Sequence, residues 1–450
     1  MAERLTTQQV AEQLGVKVET VYAYASRGQL SSERAPGGKG STFDAREVAE
    51  LANRGRRAPV RPAAAAPSGA EPGWGTEPGW GTEPVGVRTG LTLIEDGRLY
   101  YRGRDAVELA AEHGFEAVIG WFWGLGTEAP VELRVPPATA EALARAASTL
   151  PDGIRLPDRL RIAVTVAAAL DPLRFDLREQ TVRAAGAALI AGMVEALPRT
   201  APDPGPDASL AARLWSRLAT AAAAPGELAC LDRALVLLID HELAVSTVAA
   251  RVAASARAHP YAVVSAGLGA TDGPLHGAAS PLAHRMLAEV LADGAVPVVS
   301  DYLRTGRPIP GLGHRLYPDG DPRAVALLDA VRRLDGGAEV VAAVAAVEAA
   351  AGPAGRPAQR ANIDLALAAM ALTAGLPAEA GEVVFAVART PGWLAHAMEE
   401  YREEPLRMRA RATYTGPRPQ GAEADSGTDY ETDYGTDYGT DYGAGSALSR

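Results

Sequence analysis

Across residues 86–416 apolar side chains recur at helical spacing, and the segments are built largely from Ala, Leu, Val and Arg. The pattern predicts helices over residues 159–170, 208–223, 228–258 and 324–350. Ala has the strongest helix propensity, and its small side chain lets helices approach closely, so a mainly α core follows. One segment, residues 91–102, reads instead as strand, with Ile94-Glu-Asp-Gly-Arg-Leu-Tyr100 as a hairpin around an Asp-Gly turn. Strands do not alternate regularly with helices, which excludes a doubly wound sheet.

The front of the chain has a different rhythm. Residues 6–15 predict a short helix with an N-terminal Thr cap and a terminal Gly, and residues 16–25 a second helix closed by Arg27-Gly28. A polar, Gly-rich loop over residues 36–42 leads to Phe43, and Asp44 caps a third helix through Leu51. Helix, tight turn, helix and basic loop make a helix-turn-helix pattern over residues 1–57. It resembles the MerR-like and excisionase-type DNA-binding domains; that resemblance implies that Thr20, Tyr22, Tyr24 and Arg27 face DNA and that Lys39 lies on a wing. The other reading is a helical interaction module without DNA.

Residues 58–85 form a Pro/Gly/Ala-rich linker that repeats Glu-Pro-Gly-Trp-Gly-Thr from Glu71 and from Glu77. Residues 417–450 carry Thr-Asp-Tyr units and no aliphatic pattern, and are expected to be a disordered low-complexity tail.

Charge sharpens this division. The chain of 450 residues carries a net charge of −11, which argues against nucleic-acid binding by the whole molecule. Residues 1–62 hold ten Lys/Arg against seven Asp/Glu, so this module is at +3 and the remainder at −14. Cys230 is the sole cysteine, which excludes an intrachain disulfide framework and a Cys-rich zinc site. With no secretion-type start and no apolar run of membrane length, a cytoplasmic protein is expected.

The candidate chemistry sits in Asp272-Gly-Pro-Leu-His-Gly277, Gly311-Leu-Gly-His-Arg315 and Ala361-Asn-Ile-Asp364. Two histidines stand beside glycines, where backbone can turn sharply and approach a ligand, and one carboxylate stands in apolar sequence. A desolvated carboxylate gains basicity, and an imidazole can donate to a developing oxyanion, so the set suits carbonyl chemistry. Asp364 also reads as a helix cap for the helical pattern after it. Gly267-Leu-Gly-Ala-Thr-Asp-Gly273 approximates a nucleotide fingerprint but follows a helix rather than a strand. His241-Glu242 lacks a second His four residues on, so no metal is expected.

These motifs resemble the citrate synthase family over residues 86–416. The matching elements are Leu99-Tyr-Tyr-Arg-Gly-Arg-Asp-Ala-Val-Glu-Leu109, His241-Glu242, the three motifs above, Asp321-Pro-Arg323, Ala388-Arg-Thr-Pro-Gly-Trp393 and Arg409-Ala-Arg-Ala-Thr-Tyr-Thr-Gly416, in family order. The resemblance implies large and small helical domains behind the helix-turn-helix domain. It implies that Asp364 takes the methyl proton of acetyl-CoA, that His276 hydrogen-bonds the enol oxygen and that His314 polarises the oxaloacetate ketone. Oxaloacetate would be held by His241, Arg323, Arg389 and Arg409, since Arg grips carboxylates bidentately. Arg409 would reach into the neighbouring subunit's site, making a homodimer.

The implied reaction joins acetyl-CoA, oxaloacetate and water into citrate and free CoA. It takes coenzyme A thioester as substrate and needs no cofactor. Pro318, Leu365-Ala366-Leu367 and Ala278-Ala279-Ser280 depart from the commoner family residues, which leaves acyl-CoA choice open and keeps propionyl-CoA and 2-methylcitrate in play. A reading of another class is a DNA-binding regulator whose synthase-like core senses a metabolite without turnover.

Overall fold

The computed structural model describes residues 4–14, 21, 30–34, 41–48, 87–126, 130–205, 207–274, 276–277, 279–352 and 359–408. The expected linker 58–85, the tail 417–450, and Thr20, Tyr22, Tyr24, Arg27, Lys39 and Arg409 lie outside the described residues. The chain divides into two compact units, Met1–Trp80 and Gly81–Arg450.

In the first unit β1 (Arg4–Thr6) leads directly into α1 (Thr7–Leu14), followed by β2 (Ser32–Arg34) and β3 (Ser41–Asp44). Thr6 and Gln9 form a reciprocal cap: Thr6 N–H donates to Gln9 Oε1 at 2.9 Å, and Gln9 N–H to Thr6 Oγ1 at 3.4 Å. β3 is the middle strand of an antiparallel sheet, pairing Leu5 with Phe43 and Ser32 with Phe43. The sequence predicts loop where Ser41 and Thr42 join β3. These strands are too short and polar to show an alternating pattern, and Phe43 is recruited into a small core with Val10, Ala11, Val21, Leu30 and Val48. Asp44 does cap the turn that follows, accepting from Arg46 N–H at 2.8 Å.

The second unit is mainly helical. It opens with the predicted hairpin, β4 (Thr92–Glu95) against β5 (Arg98–Tyr101), and adds a short β6 (Arg104–Asp105). Asp96 and Gly97 both have positive φ, 49° and 72°, as a two-residue hairpin turn requires. The helices are α2 (Ala106–Glu112), α3 (Phe115–Phe122), α4 (Pro137–Ser148), α5 (Leu156–Leu170), α6 (Glu179–Glu195), α7 (Leu210–Leu218) and α8 (Pro225–Leu237). They continue with α9 (Val245–Ser255), α10 (Pro260–Thr271), α11 (Ala279–Asp293), α12 (Ala295–Thr305), α13 (Pro322–Arg332), α14 (Gly337–Ala351), α15 (Ile363–Thr373) and α16 (Ala380–Glu400). α11 to α15 pack on one another as a smaller group, and α16 runs through the larger one against α5, α6, α8, α9 and α10. α16 is buried from Ala380 to Met398, with Pro391 inside it. No described helix is long and apolar enough to cross a membrane.

Two predicted helices are each broken in two. The 324–350 pattern divides at Gly336, whose φ is +71°, and at Gly337, where a Cβ would overlap Val331 O. The 228–258 pattern divides at residues 238–244 for tertiary reasons. The Tyr101 hydroxyl sits 3.0 Å from Leu237 O and 3.2 Å from Val236 O, and Arg389 Nε donates to Leu238 O at 2.7 Å. These groups take up Leu237 O and Leu238 O at the end of α8, so the helix stops there and a turn carries Asp240 and His241.

Candidate active site

Asp364 and His314 are positioned by one local assembly. Gly313 N–H donates to Arg360 O at 2.8 Å, Asn362 N–H to Gly311 O at 2.9 Å, and Asn362 Nδ2 to Gly313 O at 3.0 Å. Gly311 has φ +78°, and a Cβ on it would lie 2.6 Å from Leu365 Cβ and 3.1 Å from Leu365 N, so only glycine permits this approach to α15.

The N-cap of α15 is Asn362, whose Oδ1 accepts from Asp364 N–H at 3.0 Å and Leu365 N–H at 3.4 Å. Asp321 Oδ2 takes the Ile363 N–H at 3.1 Å. Capping is therefore done by others, and no described residue hydrogen-bonds the Asp364 carboxylate. Burial raises the Asp364 pKa to about 7, with Arg323 opposing and Asp321 adding to the rise.

His314 Nδ1 accepts the Leu316 N–H at 3.1 Å, which leaves the ring proton on Nε2 and fixes that nitrogen as donor. Its ring lies 5.1 Å from that of His241, edge to face, and 4.8 Å from Tyr317. His241 Nε2 is 3.1 Å from the Tyr317 hydroxyl. His276, in the turn after α10, has Nε2 at 2.8 Å from Ser246 Oγ and its ring 5.4 Å from Phe385. All three imidazoles are held neutral. Burial and Arg389 bring His276 down to about 4. Burial and Arg323 lower His314, and burial with Arg323, Arg389 and the other two histidines places His241 well below its ordinary value.

The arginines differ. Arg323, in the first turn of α13, is gripped by Asp321, Nε to Oδ1 at 3.0 Å and Nη2 to Oδ2 at 2.8 Å. Burial opposes its charge, and the Asp321 carboxylate outweighs burial and holds its pKa above the usual value. Arg389, in the middle of α16, lies with its guanidinium 4.8 Å from the Phe385 ring centroid. Its Nη1 is buried without a hydrogen-bond partner among the described residues, and burial lowers its pKa to about 10.

The structure thus gathers His241, His314 and Arg323 around Tyr317, and joins His276 to Arg389 through Phe385. Asp364 is electrostatically coupled to the Asp321–Arg323 pair. Sequence reasoning missed Tyr317, Ser246, Phe385 and the organising role of Asp321, although Asp321 stands inside a quoted motif and Tyr317 two residues beyond another. His396 is fully buried between Asp240 and Arg251. Among the described residues no cluster of His, Cys, Asp or Glu could hold a metal ion.

Such a fold and such a cluster of neutral imidazoles, arginines and one basic carboxylate define a helical enzyme-like core of the citrate synthase type. Residues 81–411 match the family described as citrate synthase, C-terminal domain, and residues 4–56 match a helix-turn-helix domain. The chain belongs to the citrate synthase family. It is 29% identical over 359 residues to citrate synthase 2 of Bacillus subtilis, covering 74% of this chain and 94% of that one. It is 27% identical over 346 residues to 2-methylcitrate synthase 1 of Corynebacterium glutamicum, covering 72% and 90% respectively. The solved citrate synthase of Thermoplasma acidophilum, a ternary complex with carboxymethyl coenzyme A and oxaloacetate, superposes with a TM-score of 0.64 at 25% identity. That alignment covers 75% of this chain and 96% of the other.

Proposed function

We propose that the protein condenses acetyl-CoA with oxaloacetate and water to give citrate and free CoA. The observation that carries this reading is the Asp364 carboxylate, without a hydrogen-bond partner among the described residues and raised to about 7, coupled to the Asp321–Arg323 pair beside a histidine whose Nε2 is committed as donor. Asp364 removes a methyl proton from the thioester. With Ser246 donating to His276 Nε2, the Nδ1–H of His276 bonds the enol oxygen. The enol carbon attacks the oxaloacetate ketone, and His314 Nε2–H supplies the proton to the new alkoxide. Water then cleaves the citryl thioester, releasing citrate and CoA. Arg389, Arg323, His241 and, from the neighbouring subunit, Arg409 hold the carboxylates.

The homodimer is supported by a face of α9 and α10 that lacks charge. Val245 and Val252 are 62% and 45% exposed there, with Ser265 and Gly269 also open to solvent. Such a face suits a second copy.

The relatives include both citrate and 2-methylcitrate synthases, so propionyl-CoA is the alternative acyl donor. Free thiol release is measured with purified protein, oxaloacetate and either acyl-CoA. Release with acetyl-CoA at the higher kcat/KM supports the reading, preference for propionyl-CoA reassigns it to 2-methylcitrate, and no release with either sinks it.

The helix-turn-helix match favours a second function, DNA binding by the first unit. A mobility shift on the protein's own upstream DNA tests this, and a shift that depends on oxaloacetate or acyl-CoA with no turnover supports the regulator reading.

A further inference from the structure

A buried chain of polar groups starts one residue before His241 and belongs to none of the steps above. Asp240 Oδ2 accepts from Thr92 Oγ1 and lies 3.0 Å from His396 Nε2. On the other side of the ring, His396 Nδ1 lies 2.8 Å from Arg251 Nη1. Arg251 Nε donates to Glu400 Oε2 at 3.1 Å and Nη1 to Glu399 Oε2 at 2.9 Å, and Glu400 Oε2 also receives Arg407 Nη2 at 2.7 Å. The side chains of Asp240, His396, Arg251 and Glu400 are all 0% exposed.

The chemistry gives the chain a direction. Arginine only donates, so His396 Nδ1 is the acceptor and Nε2 carries the proton that goes to Asp240. Burial opposes the charge on Asp240, and the His396 ring, the Arg389 guanidinium and the Thr92 hydroxyl hold its pKa below the usual range. A row of paired groups this dry is costly to assemble, and truncating any member leaves its neighbour unpaired in a low dielectric.

Its two ends define what it does. At one end Asp240 belongs to the turn that carries His241, between the Tyr101 hydroxyl at 3.2 Å from Asp240 O and the close approach of Gly392 to Ile239. At the other end Arg407 stands two residues before Arg409, and Leu406 N–H is tied to Ser255 O at 2.8 Å. We propose that His396 is a positioning residue for oxaloacetate binding. It acts through Asp240 on His241 and through Arg251 and Glu400 on the chain at Arg407. This inference rests on the condensing-enzyme reading.

Two substitutions cut the relay on either side of the ring. His396→Asn keeps an acceptor near the position of Nδ1 for Arg251 and loses the donor to Asp240. His396→Gln keeps a donor near Nε2 and loses the acceptor. Thr92→Val removes the other donor to Asp240 at nearly constant volume, and stands in for both if the His396 variants do not fold. The full chain is assayed by thiol release with oxaloacetate varied at saturating acetyl-CoA, and by the oxaloacetate-induced rise in Tm. The expected result is a KM for oxaloacetate raised about tenfold in each His396 variant and about threefold in Thr92→Val, with the KM for acetyl-CoA within about twofold of wild type.

A lowered Tm with an unchanged KM for oxaloacetate, in the variants that fold, means His396 only fills the core and overturns the proposal. Wild-type protein that neither turns over nor gains Tm from oxaloacetate overturns the condensing-enzyme reading, and the relay falls with it.

Discussion

Replacing Asp364 by Asn tests the mechanism at its sharpest point. The substitution keeps size and polarity and removes the proton acceptor. Asn362 and Asp321 already cap α15, so the helix keeps its N-terminal bonds. General-base catalysis contributes about 10²–10⁴ in rate, equivalent to about 3–5 kcal/mol of barrier, and turnover should fall by at least that range. Deuterium exchange from the acetyl-CoA methyl should be lost in parallel, while calorimetry finds oxaloacetate binding retained.

The raised pKa adds a signature that a helix cap lacks. Between the ordinary carboxylate range and about 7 the native state binds the proton more tightly than the unfolded chain. Stability therefore falls as pH rises through that window, and Asn removes the loss. The shift corresponds to about 4 kcal/mol at most, and to roughly 2 once partial exposure is allowed for. Asp364→Asn should melt a few degrees higher than wild type at pH 8, with the gap closing as pH falls toward 4. Wild-type kcat/KM should climb as pH rises through about 7. Unchanged turnover, or a variant less stable at pH 8, would refute the reasoning.

Three further substitutions probe the frame. Arg323→Ala leaves Asp321 buried without its cation, so a loss of about 3–5 kcal/mol in denaturant unfolding should accompany a raised KM for oxaloacetate, and wild-type stability would contradict the assigned pairing. Gly392→Ala forces a Cβ onto the immovable Ile239 O; about 1–3 kcal/mol should be lost, read by urea unfolding, and the turn carrying His241 should shift enough to weaken oxaloacetate. Val252→Asp puts a charge on the apolar α9–α10 face and should convert a dimer to monomer by sedimentation, whereas a wild-type profile would remove that face from the interface.

Local chemistry in this chain was legible, and its cross-chain partners were not. The Asp96-Gly97 turn, the cap at Thr6 and the apolar spacing of α5 are short-range signals, and each element formed where its pattern stood. The break at Gly336-Gly337 has an equally local signal, which the apolar run around it hides. The break at residues 238–244 had no local signal, since Tyr101 and Arg389 impose it from far along the chain. The same holds for the site. His276, His314 and Asp364 stood out because glycines and an N-cap frame them. Ser246, Phe385 and His396 did not, because a lone serine, phenylalanine or histidine in helical sequence declares no partner.

The electrostatics of the site also bear on assembly. Oxaloacetate is a dianion, and the described residues near its proposed place offer two guanidiniums, one of them already matched by Asp321 in bidentate contact. Arg389 brings an Nη1 with no partner among the described residues, while the three imidazoles are driven neutral by burial and by those same arginines. Protonating a histidine to complete the match would work against that burial, and in His314 it would put a proton on the Nδ1 that accepts the Leu316 N–H. A further fixed cation is the less costly solution. Arg409, two residues beyond the Arg407 that Glu400 anchors, is the residue the motif supplies for it in the proposed function.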